Sequence, residues 1–289
     1  HQRYGTLKLD QVFDPAISLC ENGFPASHHF ANSLSDENAR FAEDPYTRAI
    51  FTDNGQPLKA GDILYQKDLG MTLREIAAKG RETFYEGDIA QAMVQFSQAY
   101  DGLLTGKDLS GYQASWVDPI YTTYRGYNVY EMPPNSSGHI LLQELNIVEH
   151  FDLQSMGCNT AESVHLMVEA KRLSFADREK YVADPDWVDI PLRGMLSKAY
   201  AAKQAERINL DQMLTEVVSG TPEQFEDTTC FCVADQWGNA VCVLQSIQSG
   251  FGSSLIAGHT GILLNNRMTY WHLEPDHPNC LMPGKRVRH

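Results

Sequence analysis

Two runs of strand-forming residues frame Asp235-Gln236-Trp237-Gly238-Asn239. The first begins at Thr228 and continues through Thr229-Cys230-Phe231-Cys232-Val233-Ala234. The second is Ala240-Val241-Cys242-Val243-Leu244-Gln245-Ser246. β-Branched, aromatic and thiol side chains suit a pleated surface, and Asp, Gly and Asn suit the turn between. The pattern predicts an antiparallel hairpin. A polar run, Ser219-Gly220-Thr221-Pro222-Glu223-Gln224-Phe225-Glu226, precedes it and reads as a surface loop. Two hydroxyls therefore stand where a loop feeds a strand. Taken alone, that is an ordinary use of two β-formers.

The rest of the chain reads mostly as helix. Asp14 to Asn22 suggests a short helix closed by Gly23, and Asp68 to Lys79 a second closed by Gly80. Leu69, Leu73, Ile76 and Ala77 would share a face of the latter. Asn32 to Asp62 is rich in polar residues, Pro and Gly, and reads as mostly loop. Ile89, Met93 and Phe96 mark another helix. Tyr121 to Glu131 predicts a hairpin turning at Arg125-Gly126.

Met132-Pro133-Pro134-Asn135-Ser136-Ser137-Gly138 is a break before a helix, with Ser136 or Ser137 able to cap it. Leu141, Leu145, Val148 and Phe151 would form its apolar stripe. Asn159-Thr160-Ala161-Glu162 resembles a capping box, followed by Val164, Met167, Val168 and Phe175 at helical spacing. Charged residues on these helices read as solvated faces. A last helix runs from Ser197 towards Ile208. Ser249-Gly250-Phe251-Gly252-Ser253-Ser254 reads as a mobile turn, and its spacing is not that of a phosphate loop. Ile262-Leu263-Leu264 reads as a strand entering a polar loop at Asn265-Asn266.

With 289 residues the chain can bury a sizeable core. Its net charge of −14 argues against nucleic acid and anionic membranes as partners. No apolar run approaches the roughly 20 residues of a membrane span. Six cysteines in so long a chain do not suggest a disulfide framework. Cys230 and Cys232 would share a strand face. Buried reduced thiols are the expectation, with no metal site and no cofactor, and they point to a reducing compartment, the cytoplasm. The first residue is not Met and the last nine residues form a basic run, so the chain is expected to continue beyond both ends.

Thr228-Thr229 opening such a hairpin, then Gly258 to Met268, then Pro283-Gly284-Lys285-Arg286, resembles the γ-glutamyltranspeptidase family of N-terminal-nucleophile hydrolases. The resemblance implies an α+β fold, a four-layer αββα sandwich. It implies a precursor that cuts itself between Asp227 and Thr228. Residues 1–227 would then belong to a large subunit and 228–289 would begin a small one, the two remaining associated within one domain. A homodimer of such heterodimers is a further implication. Thr228 would be the nucleophile. Its freed α-amino group, with a pKa of roughly 7.7 to 8.0, would be the base that an internal Thr lacks.

The remaining family positions fall at numbered residues here. Ser246 matches the second hydroxyl that assists the nucleophile, with Ser in place of Thr. Gln248 matches a substrate-contacting Asn. Arg267 and Tyr270 stand where the transpeptidases hold an α-ammonium with Gln and Asp. His289 stands where a serine binds the substrate carboxylate. A guanidinium repels an ammonium, so γ-glutamyl recognition looks rebuilt. Arg286, Arg288 and His289 would add to a cationic pocket. Arg267 could instead serve a structural ion pair.

Gln245-Ser246, Asn266-Arg267 and Asp276-His277-Pro278 resemble more closely the branch with oxamate amidohydrolase and glutaryl cephalosporin acylases. That implies a small carboxylate-bearing amide as substrate. The alternatives are a true γ-glutamyltransferase or glutathione hydrolase, and an unprocessed relative with a binding role. The family's upstream carboxylate-binding Arg and downstream oxyanion-hole glycines match no residue of this stretch.

Overall fold

The computed structural model describes residues 1–215, 217 and 228–288, and of Thr228 and Thr229 it describes the backbone alone. The expectations at Asp227 and His289 therefore lie outside the described residues. The chain divides into two compact units. One is His1–Ala114 with Phe225–Arg267; the other is Ser115–Gln224 with Met268–His289. Each unit draws on chain from both sides of the polar run at 219–226.

In chain order the structure begins with α1 (Leu9–Asn22), β1 (Phe24–Pro25), α2 (His28–Phe41), α3 (Pro45–Phe51), β2 (Thr52–Asp53), β3 (Gln56–Pro57) and β4 (Ile63–Leu64). It continues with α4 (Lys67–Lys79), α5 (Arg81–Tyr85), α6 (Asp88–Ala99) and α7 (Gly106–Ser110). Then come β5 (Ile120–Tyr124), β6 (Tyr127–Glu131), α8 (Gly138–Val148), α9 (Leu153–Met156), α10 (Ala161–Tyr181), α11 (Leu192–Met195) and α12 (Lys198–Ala205). Last are β7 (Thr228–Ala234) and β8 (Ala240–Ser246), followed by 3-10 turns at Gly258–Thr260 and Arg267–Tyr270. Among the described residues the strands pair in twos, all antiparallel: β1 with β4, β2 with β3, β5 with β6 and β7 with β8. The class is α+β, as expected.

In the first unit, the stretch read as loop holds two helices. α2 is polar overall, but Phe30, Leu34 and Phe41 fall on one face. Leu34 and Phe41 are fully buried. The start signals were present in the sequence. Ser27 Oγ accepts from the Phe30 amide at 3.1 Å, and Asp44 caps α3 at 2.7 Å with Pro45 as its first residue.

Rings from both ends of this unit meet. Phe41 lies 5.3 Å from Phe51 and 5.0 Å from Phe251, centroid to centroid. Each buried Phe contributes roughly 1.5–3 kcal/mol. The buried Asp44 carboxylate also accepts from Thr47 Oγ1 at 2.6 Å and from Tyr100 at 3.0 Å. Thr47 Oγ1 in turn accepts from the Ile256 amide at 3.0 Å. Thr72 donates to the Thr260 carbonyl at 2.7 Å. Gly261, at φ 68°, lies against the Leu69 backbone, where a Cβ would collide. The expected strand at 262–264 is reduced to one bridge, Ile256 to Leu263, because its neighbours turn to anchor on α3 and α4.

In the second unit, β5 and β6 pair as predicted. Arg125 and Gly126 both have positive φ, 49° and 87°, as the two-residue turn requires. The core holds Ile147, Leu166, Leu173 and Ala201 from α8, α10 and α12. Two predicted stripes need correction: on α8 Val148 is buried and Phe151 packs on the core as expected, but Leu141 is not inward, and the α10 stripe faces outward. Leu141 is 41% exposed while Leu142 and Ile147 are buried, because α8 is apolar on most sides and admits more than one stripe. On α10, Val164, Met167 and Val168 are exposed, while Glu169, Asp177 and Arg178 are buried.

The inward charges of α10 are paired, which an apolar pattern cannot register. Asp177 accepts from Gln143 at 2.8 Å and from Tyr200 at 2.9 Å, and Glu169 from Arg172 at 2.7 Å. Thr160 caps α10 by accepting from the Ser163 amide. Ser137 sits at the start of α8 without capping it; its Oγ accepts from Arg178 Nε at 3.2 Å.

Candidate active site

The β7–β8 hairpin sets the frame. Its register places Thr228 opposite Ser246, Cys232 opposite Cys242 and Ala234 opposite Ala240. Asp235 closes the turn, its Oδ1 accepting from the Trp237 and Asn239 amides at 2.9 Å each. The open end of the ladder is therefore where Thr228 and Ser246 meet, and β8 continues from there towards Gln248 and Arg267.

That continuation is built by four polar residues, Ser246, Gln248, Ser249 and Asn266. Ser246 Oγ accepts from the Gln248 amide at 3.0 Å. Gln248 has φ 81°, a left-handed backbone that costs a side-chain-bearing residue on the order of 1 kcal/mol or more. Ser249 and Asn266 then hold the two chain segments together. The Ser249 amide donates to Asn266 Oδ1 at 3.1 Å, and Asn266 Nδ2 donates back to Ser249 Oγ at 3.0 Å. The Asn266 amide donates to the Ile247 carbonyl at 3.3 Å. Arg267 follows directly, half-buried, and its Nη2 donates to the Ser246 carbonyl at 3.4 Å. The 249–254 stretch, expected to be mobile, is thus fixed at Ser249 and again at Gly252, whose carbonyl accepts from Arg40 at 3.1 Å.

Thr228, Ser246, Gln248 and Arg267 all belong to the first unit. Tyr270 belongs to the second, with its ring 4% exposed and its carbonyl accepting from Asn279 at 2.9 Å. Asn266 and Ser249 escaped sequence reasoning as positioning residues. The Asn265-Asn266 doublet after an apolar run was the available signal.

Two expected contributors of positive charge are corrected. Arg286 spans Asp184 with its Nε at 3.1 Å and its Nη2 at 2.6 Å, and also meets Asp186 at 2.7 Å. Arg288 is 1% exposed; its Nη2 donates to both Glu179 oxygens, at 2.8 and 2.9 Å. Its Nη1 donates to the Arg178 and Val182 carbonyls. Both guanidinium groups hold the second unit together, so neither supplies spare charge to a pocket. The neighbouring charges explain why the Glu179 carboxyl lies below the usual range: Arg288 and Arg178 outweigh the cost of its burial.

The thiols are corrected too. Cys230, Cys232, Cys242 and Cys158 are exposed, and only Cys20 and Cys280 are buried. The hairpin leaves both of its faces accessible among the described residues, as Phe231 and Val233 are also exposed. Among the described residues, two clusters bring metal-capable side chains within 4.8 Å of one another: the hairpin cysteines, and Glu179 with His272 and His277. In the latter Arg288 already takes both carboxylate oxygens.

A family profile described as gamma-glutamyltranspeptidase matches residues 1–289. The chain belongs to that family. It is 39% identical over 283 residues to the glutathione hydrolase proenzyme of Escherichia coli, covering 96% of this chain and 49% of the relative. It is 39% identical to the glutathione hydrolase-like YwrD proenzyme of Bacillus subtilis, covering 100% of this chain and 54% of that protein. Among solved structures it resembles the cephalosporin acylase of Bacillus halodurans. That match has 35% identity and a TM-score of 0.89, and covers 100% of this chain and 53% of the acylase. The fold is therefore that of the γ-glutamyltranspeptidase and acylase group of N-terminal-nucleophile hydrolases. The chain spans about half the length of the curated relatives it matches.

Proposed function

We propose that the chain is part of a self-processing amidohydrolase or acyltransferase that cuts itself between Asp227 and Thr228. The Thr228 hydroxyl attacks an amide carbonyl and gives its proton to the new α-amino group. The amine leaves with that proton, and water releases the acyl group from the resulting ester. The observation that carries this reading is the register of Thr228 against Ser246 at the open end of the hairpin, with Arg267 bonded to the Ser246 carbonyl. The word proenzyme in the names of both curated relatives supports processing. Processing would leave a large and a small subunit of one precursor associated.

Ser246 would assist the nucleophile, and Gln248 would present its amide to the substrate from its constrained backbone. Arg267 would take a substrate carboxylate through its planar fork. Tyr270, in place of an acidic residue, would leave an α-ammonium without a partner. The substrate class is then an amide whose acyl part carries a carboxylate but no free α-amino group, such as oxamate or a glutaryl amide. The likeness to a cephalosporin acylase favours this branch. The glutathione hydrolase names favour a second reading, a true γ-glutamyl hydrolase. We place the protein in the cytoplasm on its free thiols alone.

Two measurements on the full-length protein test the proposal. A denaturing gel should show two bands that sum to the precursor; a single uncut band would defeat the enzyme reading. On the mature protein, kcat/KM for a glutaryl anilide should exceed that for the γ-glutamyl anilide. A tenfold preference the other way, about 1.4 kcal/mol, would establish the second reading instead.

A further inference from the structure

We propose that Asn279 is a positioning residue for substrate selection, because it fixes the far end of the short turn that carries Arg267. The proposal rests on the carboxylate-binding reading of Arg267 given above. The 3-10 turn Arg267–Tyr270 starts at Arg267, whose amide donates to Asn265 Oδ1 at 3.0 Å. It ends at Tyr270, whose ring is buried and whose carbonyl accepts from Asn279 Nδ2 at 2.9 Å. Asn279 Oδ1 accepts from the Arg288 amide at 3.0 Å. One planar side-chain amide, a donor and an acceptor together, thus joins the end of the turn to the segment that Arg286 and Arg288 fasten by ion pairs.

Asn279 is fully buried and is itself held through its backbone. Its amide donates to His277 Nδ1 at 3.0 Å, and its carbonyl accepts from the His272 amide at 3.2 Å. Both backbone groups and both side-chain groups are therefore engaged, and the bridge has a fixed base. A 3-10 turn this short has few internal bonds of poor geometry, so what grips its two ends sets its orientation. Asn265 and Asn266 grip the first end, and Asn279 grips the last. A guanidinium binds a carboxylate through two hydrogen bonds only when its fork is aligned. A turn free to hinge at Tyr270 would swing that fork away from its angle.

The test uses the mature full-length protein. Asn279→Asp is nearly isosteric and keeps an acceptor for the Arg288 amide, but its carboxylate has no donor for the Tyr270 carbonyl. KM for a glutaryl anilide should rise roughly tenfold, with kcat held within about twofold. KM for the γ-glutamyl anilide should change less. Asn279→Ser, too short to span both segments, should show the same loss. Adding Asn279→Asp to Arg267→Gln should raise KM no further, since Asn279 acts through Arg267. The proposal is overturned by an unchanged glutaryl KM in Asn279→Asp, by an additive loss in the double variant, or by failure of both single variants to mature. If Arg267→Gln alone leaves KM unchanged, the carboxylate-binding reading falls, and this proposal with it.

Discussion

Thr228 and Ser246 are partners across the last rung of the β7–β8 ladder, and the Ser246 hydroxyl is already engaged by the Gln248 amide. A hydroxyl at 246 thus has two tasks in the proposed enzyme: shaping the Gln248 turn and assisting Thr228. Ser246→Ala should lower kcat by roughly 10²-fold with KM changed less, and Ser246→Thr should restore most of the rate. Thr228→Ala should abolish both maturation and turnover. Single-turnover assays and denaturing gels on the full-length variants check both. A Thr228→Ala protein that still matures into two chains would assign the nucleophile elsewhere.

Arg267 is placed by Asn266, whose side chain bridges to Ser249. If Arg267 clamps a carboxylate, Arg267→Gln should cost about 1.5–3 kcal/mol of transition-state binding for a glutaryl amide, or roughly 10- to 100-fold in kcat/KM. Arg267→Lys should recover little, since an ammonium lacks the fork. Asn266→Ala should give a smaller loss of the same kind. Parallel kcat/KM measurements on glutaryl and γ-glutamyl anilides give the answer; an equal loss for both substrates would make Arg267 a structural residue.

Arg288 depends on Glu179 for charge balance inside the second unit. Glu179→Gln should take from that guanidinium its paired carboxylate and cost about 3–5 kcal/mol, seen as a lower urea midpoint. The exposed pair between Arg74 and Glu21, at 2.8 Å, is the contrast. Glu21→Gln should leave the urea midpoint nearly unchanged, because solvent screens an exposed pair. Similar costs at the two sites would contradict the buried pairing.

Two buried groups should pull stability in opposite directions with pH. Burial pushes the His139 imidazole down to about 4, from an ordinary value near 6.5. The fold holds the neutral ring, so this contribution is whole above about pH 6.5 and is lost as pH falls towards 4. Burial pushes the Glu144 carboxyl up to about 7, from about 4.5. The fold holds the neutral acid, so this contribution is whole below about pH 4.5 and is lost as pH rises through about 7. Between those limits the two slopes cancel. Glu144→Gln should expose the histidine slope, making stability rise between pH 4.5 and 6.5 by about 2 kcal/mol more than in the wild type. Urea titrations at both pH values measure it, and an unchanged slope in the variant would refute it.

The two longer hairpins were legible in the sequence because turn chemistry and alternation act locally. Arg125-Gly126 and the run from Asp235 to Asn239 each sit between β-branched or aromatic residues. Helix ends at Gly23, Gly80 and Thr160 were legible for the same reason. Burial was less so. Val164, Met167 and Val168 look like a core stripe, yet the inward face of α10 carries Glu169, Asp177 and Arg178. Glu169 has a local partner in Arg172, but Gln143 and Tyr200, which meet Asp177, and Ser137, which meets Arg178, lie tens of residues away, and no local pattern points to them. At the candidate site, resemblance supplied Thr228, Ser246, Gln248 and Arg267. The Asn266 bridge and the pairing of Arg286 and Arg288 with acidic residues became visible only in three dimensions.

Asp44 and Thr47 fasten the Ile256 amide, and Thr72 fastens the Thr260 carbonyl, so residues before the polar run grip residues after it. While the chain is continuous, a tether keeps these two groups at high effective concentration. A cut at 227 would remove the tether and leave these bonds, with the Phe251 ring contacts and the Arg40 bond to Gly252, to hold the two pieces within that unit. Refolding would then become a second-order reaction, faster in concentrated solution and failing on dilution, although the folded molecule had kept every noncovalent contact. Maturation would trade a chain that can refold alone for a pair that must find each other.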